Sequence, residues 1–184
     1  MKIAVALTGA SGTVYGLRLI EELESRGIDV TPIVSNAARK VMAYELEDSG
    51  AEALGGFTSE AEIDAGVASG SFKLDAMIIV PCSMKTLSAV ASGYASNLIA
   101  RTADVMIKEQ RRLVIVPRET PLSAIHLENM LKLSRLGVTV LPAMPAFYHK
   151  PRSVEDMIDF VVGKILDSLE IENDLYRRWS GGST

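Results

Sequence analysis

Five short segments concentrate the residue types that could do chemistry: Thr8 to Gly12 (TGASG), Val34 to Ala38 (VSNAA), Pro81 to Thr86 (PCSMKT), Pro117 to Pro121 (PRETP) and Pro142 to Pro151 (PAMPAFYHKP). In the first, glycines let the backbone approach a ligand closely. The helix that follows aims free N–H groups and its positive end at an anion, and Ser11 adds a hydroxyl donor. The third repeats this arrangement with the hydroxyls of Ser83 and Thr86 at another helix start, Lys85 being open to a plain solvated reading. Arg118 is a planar multiple donor suited to a phosphate or a ring carbonyl, with an ion pair to Glu119 as the alternative. The glycine spacing departs from G-x-G-x-x-G and no Walker sequence is present, which disfavours a dinucleotide and ATP. Two anion-ready turns suit one phosphorylated cofactor.

Elements that alternate along the chain must position these segments. Lys2 to Leu7 is a short apolar strand, and Val14, Leu17, Ile20 and Leu23 then recur at helical spacing until Gly27. Asp29 to Val34 reads as a second strand, with Ser35 and Asn36 offering N-cap chemistry for a helix to about Leu46. Residues 47–72 have weak periodicity and read as irregular structure or short helical turns. Ala76 to Val80 is a continuous apolar run of the kind buried on both faces of a parallel sheet, ended by a Pro81-Cys82-Ser83 turn. Helices over about Lys85 to Ala91 and Asn97 to Glu109, a strand at Leu113 to Val116, a helix from Ser123 to Leu136, a fifth strand at Val138 to Leu141 and a helix from Ser153 to Leu169 complete the order. This alternation predicts a doubly wound parallel α/β sheet, Rossmann-like or flavodoxin-like, in three αβα layers. Each chemical segment follows a strand, so all five are expected at the carboxyl edge, where open parallel sheets bind ligands.

The totals agree with one domain over residues 1–170 followed by a tail at 171–184. The 184 residues are 48% apolar and 23% charged, a globular balance. A formal charge of -4 argues against a nucleic-acid partner. The opening apolar run is too short for a signal peptide or a membrane span, which points to a cytoplasmic protein. Cys82 is the single cysteine, so there is no disulfide framework, and no Cys or His cluster has metal spacing.

TGASGTVYGLRL, PCSMKTLSAVASG, NLIARTADVMIKEQRRLVIVPRETP, IHLENMLKLSRLG and PAFYHKPRSVEDMIDF together resemble the UbiX-type flavin prenyltransferases over nearly the whole chain. The resemblance implies a flavodoxin-like fold, reduced FMN as prenyl acceptor, dimethylallyl monophosphate as donor, a homododecamer with sites completed by neighbouring chains, and a UbiD-type decarboxylase receiving the prenylated FMN. It implies FMN contacts at Gly9, Ala10, Ser11, Ser35, Ser83, Met84, Lys85, Thr86 and Arg118, with Ser11 near the reactive N5. It also places Lys108, Arg118, Tyr148 and Lys164 around the allylic phosphate with Arg101 nearby, and makes Glu45 and Glu119 candidates for handling a proton.

Read without the resemblance, several of these residues have plainer roles. Ser35 is a helix N-cap, Lys108 a helix-end cation, Lys164 a solvated lysine beside an apolar stripe, Glu45 a surface glutamate and Tyr148 a packed tyrosine. His126 is expected to make a structural or interface contact, His149 to orient the Tyr148 loop, and Trp179 to anchor the tail or cover the substrate. The loop Asp64 to Ser71 departs from relatives that carry an aromatic residue there. Two rivals fit less well. A flavin-dependent cysteine decarboxylase expects a PASANT-like segment and an early histidine, and a flavodoxin-like electron carrier leaves Lys108, Tyr148 and Lys164 without a shared task. No D-D-x-x-D pair for magnesium occurs, which suits metal-independent use of a monophosphate.

Overall fold

The computed structural model describes residues 1–46 and 56–181. Its elements, in chain order, are β1 (Lys2–Leu7), α1 (Thr13–Ser25), β2 (Asp29–Val34), α2 (Asn36–Glu45), β3 (Thr58–Ser59), a 3-10 turn (Gly66–Ala68), β4 (Ala76–Cys82), α3 (Met84–Ser92), α4 (Leu98–Lys108), β5 (Arg112–Pro117), α5 (Ala124–Arg135), β6 (Thr139–Val140) and α6 (Val154–Ser168). Every strand pair is parallel, in the order β3-β2-β1-β4-β5-β6. The chain reverses direction across the sheet between β1 and β4, which is the switch point where ligands of such folds lie.

Burial explains why the strands read as unbroken apolar runs. All seven residues of β4 are buried, as are five of six in β1 and in β5. Alternate residues feed two cores. Ile3, Val5 and Leu7 pack with α1, α2 and α6 on one face, whereas Ala4 and Ala6 pack with Met77, Ile79 and the α3, α4 and α5 layer on the other. Helix α1 seats closely because Gly16 has no Cβ; one placed there would stand 2.6 Å from the Val80 carbonyl oxygen.

Three details differ from the sequence reading. Strand β4 does not stop at Val80 but continues to Cys82, carrying Pro81 through a register shift between Ile79 and Cys82. A proline is tolerated there because an irregularity in the ladder leaves no bond for its missing N–H to make. The 47–72 stretch contributes a sixth strand, β3, which pairs with Ile33 and Val34 at the sheet edge; two residues are too few for periodicity to reveal. The 47–55 part of that stretch lies outside the described residues. The fifth expected strand shortens to Thr139–Val140.

Helix boundaries follow the capping residues. The side chains of Ser35, Ser83, Asn97, Ser123 and Ser153 each accept a backbone N–H at the start of α2 to α6. At α5 the box is reciprocal. His126 Nδ1 accepts the Ser123 N–H at 3.2 Å while Ser123 Oγ accepts the His126 N–H, so His126 is structural. Among the described residues no helix is long and apolar enough to cross a membrane.

Candidate functional site

Thr8 stitches the carboxyl ends of β1 and β4 together. Its hydroxyl donates to the Pro81 carbonyl at 2.7 Å and accepts the Ser83 N–H at 2.7 Å, both within a pocket that leaves the residue 1% exposed. The two anion-ready turns are therefore held by one buried side chain. Arg118 adds the third segment. Its backbone N–H donates to the Cys82 carbonyl and its Nε donates to the Ser11 carbonyl at 3.2 Å. Glu119 turns away and accepts its neighbour Thr120 N–H, so the Arg118–Glu119 ion pair does not form.

Gly9 lets the first turn press against the second segment. A Cβ there would lie 2.4 Å from Ala37 Cβ, which means the VSNAA turn and the TGASG turn are in contact only because residue 9 has no side chain. Ser35 is 5% exposed and its Oγ accepts the Ala38 N–H at 3.0 Å, leaving its proton to donate elsewhere.

The start of α1 has an unusual cap. Gly12, at φ 101°, has no side chain to offer, and the acceptor comes instead from Glu45, 33 residues on. The Glu45 carboxylate takes the Gly12 N–H at 2.8 Å, the Thr13 N–H at 2.9 Å and the Thr13 hydroxyl at 2.7 Å. Partial burial pushes this carboxyl up, but the bonds from Ser11, Thr13 and the two backbone groups outweigh it and hold Glu45 below its ordinary value. A carboxylate so bound demonstrates that this helix start receives an anion. Glu45 is thus neither free nor a plain surface glutamate.

Beyond β5 and β6 a cavity of about 300 Å³ opens beside Arg118, with Leu122, Met130, Pro142 and Met144 among its apolar walls. It brings PRETP and the start of PAMPAFYHKP together. Of the other cofactor candidates, Ala10 is buried at the turn, Met84 packs partly on the second core, Thr86 bonds Ser83 through its hydroxyl at 3.2 Å, and Lys85 is exposed.

The remaining cations fall into two separate places. Arg101 and Lys108, seven residues apart, share the exposed stripe of α4; Arg101 reaches the Ala68 carbonyl and Asp104, and Lys108 pairs with Glu109. Tyr148 and Lys164 lie across the sheet. Tyr148 meets His149, Phe160 and Trp179 edge-on at 5.7 to 5.9 Å between ring centres, and His149 stacks on Phe160. Lys164 pairs with Asp167 at 3.4 Å on α6. Trp179 is 68% exposed, and the tail is held mainly by Tyr176 and Arg178.

Sequence reasoning missed Thr8, Thr13 and Glu60. The first two stand in or beside the TGASG turn and carry hydroxyls, a signal that was available. Glu60 was not legible. Its carboxylate accepts the Asn36 N–H at 2.8 Å and the Asn97 side-chain amide at 2.6 Å, joining the starts of α2 and α4.

A parallel α/β sheet with helix starts, hydroxyls and an arginine gathered at its switch point places the chain among the α/β proteins that hold a phosphorylated ligand there. The Flavoprotein family profile matches residues 1–166. The flavin prenyltransferase UbiX of Methanocaldococcus jannaschii is 53% identical over 182 residues, covering 97% of this chain and 98% of that protein. A dodecameric FMN-dependent Ubix-like decarboxylase from Escherichia coli O157:H7 superposes with a TM-score of 0.94 at 44% identity, covering 98% of this chain and all of that one. AnUbiX (PadA1), solved with FMN and dimethylallyl pyrophosphate, gives 0.93 at 45% identity, covering 99% of this chain and 98% of that one. The chain belongs to the UbiX-type flavin prenyltransferase family.

Proposed function

We propose that this chain joins the dimethylallyl group of dimethylallyl monophosphate to N5 and C6 of reduced FMN, making prenylated FMN for a UbiD-type decarboxylase. The observation that carries the reading is the meeting of Ser11, Ser83 and Arg118 at one rim through Thr8 and the Ser11 carbonyl. A neighbour of 45% identity, solved with FMN and a dimethylallyl donor, supports it.

The residues present fit a flavin phosphate ester. Gly9 leaves room for close approach and Ser35, Ser83 and Thr86 have hydroxyls at helix starts, while the first N–H groups of α1 are taken by Glu45. In this reading Gly9, Ala10, Ser11, Ser35, Ser83, Met84, Lys85, Thr86 and Arg118 hold FMN, with Ser11 beside the reactive edge. Reduced FMN, when bound, supplies the nucleophilic N5 and C6 positions. Arg118, Lys108, Tyr148 and Lys164, with Arg101 nearby, receive the departing phosphate, whose charge they stabilise without a metal ion. Glu45 and Glu119 are the candidate carboxylates for handling the proton; Glu45 stands ionised at the α1 start, and the bonds that keep it so also weaken it as a base.

Arg101 and Lys108 stand on the opposite side of the sheet from Tyr148 and Lys164. One phosphate can meet all four only if a second copy supplies one pair, which makes the homo-oligomer, read as a dodecamer, part of the active site. A cytoplasmic location belongs to the same reading.

Anaerobic incubation of the protein with reduced FMN and dimethylallyl phosphate is expected to add the mass of one isoprenoid unit to the flavin. Unchanged flavin mass would remove the assignment.

A further inference from the structure

Asp167, on the last turn of α6, is surrounded by more donors than a carboxylate can bind well. Arg178 donates through Nη2 at 2.7 Å and Nη1 at 3.1 Å, Asn173 through its side-chain amide at 2.9 Å, and the Tyr176 hydroxyl donates as well. Lys164 is the outlying fifth at 3.4 Å. Two carboxylate oxygens offer about four acceptor sites, and the tail residues fill them. Burial pushes the Asp167 carboxyl up, but the bonds from Arg178, Tyr176 and Asn173 outweigh it and hold the group well below the usual carboxylate range. The cluster thus carries one negative charge against two positive ones.

The tail reaches Asp167 through a steric fit. Tyr176 packs closely on α6 over Gly163, where a Cβ would stand 2.5 Å from its ring. The Lys164 and Arg178 cations both lie over that ring, at 5.9 and 5.4 Å from its centre. Arg178 therefore holds the carboxylate that Lys164 would otherwise take.

We propose that Asp167 and Arg178 are positioning residues: docking of residues 173–178 on α6 saturates Asp167 and leaves Lys164 weakly paired, ready to receive the phosphate of the substrate. The proposal rests on the substrate reading above. Neither Asp167 nor Arg178 needs to touch the ligand. Their effect passes through Lys164.

Phosphate binding to flavin-free protein tests this, read from the emission of Trp179, the single tryptophan, which sits against Tyr148. Arg178→Gln frees Asp167 to capture Lys164 and is expected to weaken inorganic phosphate binding about 5- to 10-fold, less than the full loss of one charged hydrogen bond because Lys164 is redirected rather than removed. Gly163→Ala, which changes no charge, should displace Tyr176 and give a loss in the same direction. In a Lys164→Met background, adding Arg178→Gln should cost less than about twofold further, because the route is already cut. Wild-type affinity in Arg178→Gln, or a loss that persists undiminished in the Lys164→Met background, overturns the proposal. Prenylation assays on the same proteins decide the substrate reading separately, since absence of adduct in wild type leaves the phosphate titration intact.

Discussion

The rim around Thr8 and the patch around Asp167 solve different problems. At the rim, the side chains of Thr8, Arg118 and Glu45 bond backbone groups of other segments, so these contacts are made within one chain. On α6 and α4, the candidate cations rest on nearby carboxylates, Lys164 on Asp167 and Lys108 on Glu109, on opposite sides of a sheet. The comparison teaches that the turns at the rim are preorganised within one protomer, whereas the lysines of α4 and α6 rest on side-chain carboxylates, which under the proposed function they would leave for a phosphate. Binding energy that comes from backbone amides costs little reorganisation, while a lysine must leave one anion to meet another.

Mixing two variants is the most direct way to break that contrast. Lys108→Met and Lys164→Met are each expected to lower prenylation by about 100-fold, as the loss of a charge-assisted contact to phosphate would. Co-assembly of the two should return about a quarter of the wild-type sites by random assortment. Recovery absent from a mixed oligomer of normal size would mean that the two cations do not share a site.

Thr8→Val sharpens the other half. The substitution keeps the shape and deletes the hydroxyl that accepts the Ser83 N–H, leaving a part-buried donor without that partner. A loss of about 1–3 kcal/mol is expected in urea denaturation, with weakened FMN binding. A stability equal to wild type would show that the stitch between β1 and β4 is not needed.

Glu45→Gln has a smaller and pH-dependent effect. The folded carboxyl lies below its unfolded value, so its stabilisation is present above the unfolded pKa and lost as pH falls through the depressed folded one. Because the group is largely exposed, the charge should contribute only about 0.5–1 kcal/mol after solvent screening. Denaturation of wild type and Glu45→Gln should therefore differ at neutral pH and converge on acidification. A gap that stays constant to low pH contradicts an ionised cap. Least of all, His126→Ala should cost about 0.5 kcal/mol in thermal stability by opening the α5 capping box, without altering flavin affinity.

Much of the fold was legible because buried parallel strands and capped helices leave local marks. Ala76 to Val80 reads as a strand from its apolar run, and Ser35, Asn97, Ser123 and Ser153 announce helix starts. Strand β3 was not legible, since two edge residues have no period. At the VSNAA turn the plain reading holds: Ser35 caps α2 as its sequence neighbourhood predicts, its Oγ accepting the Ala38 N–H.

The sequence by itself determined the order of strands and helices, the five reactive turns and the family resemblance, because these depend on residues near one another in the chain. Only the tertiary structure decided that Glu45 caps a helix starting 32 residues earlier, that Thr8 joins two strands 73 residues apart, and that Asp167 gathers the tail. Such contacts are set by how whole elements pack, and a hydroxyl or carboxylate carries no local trace of the distant N–H that will meet it.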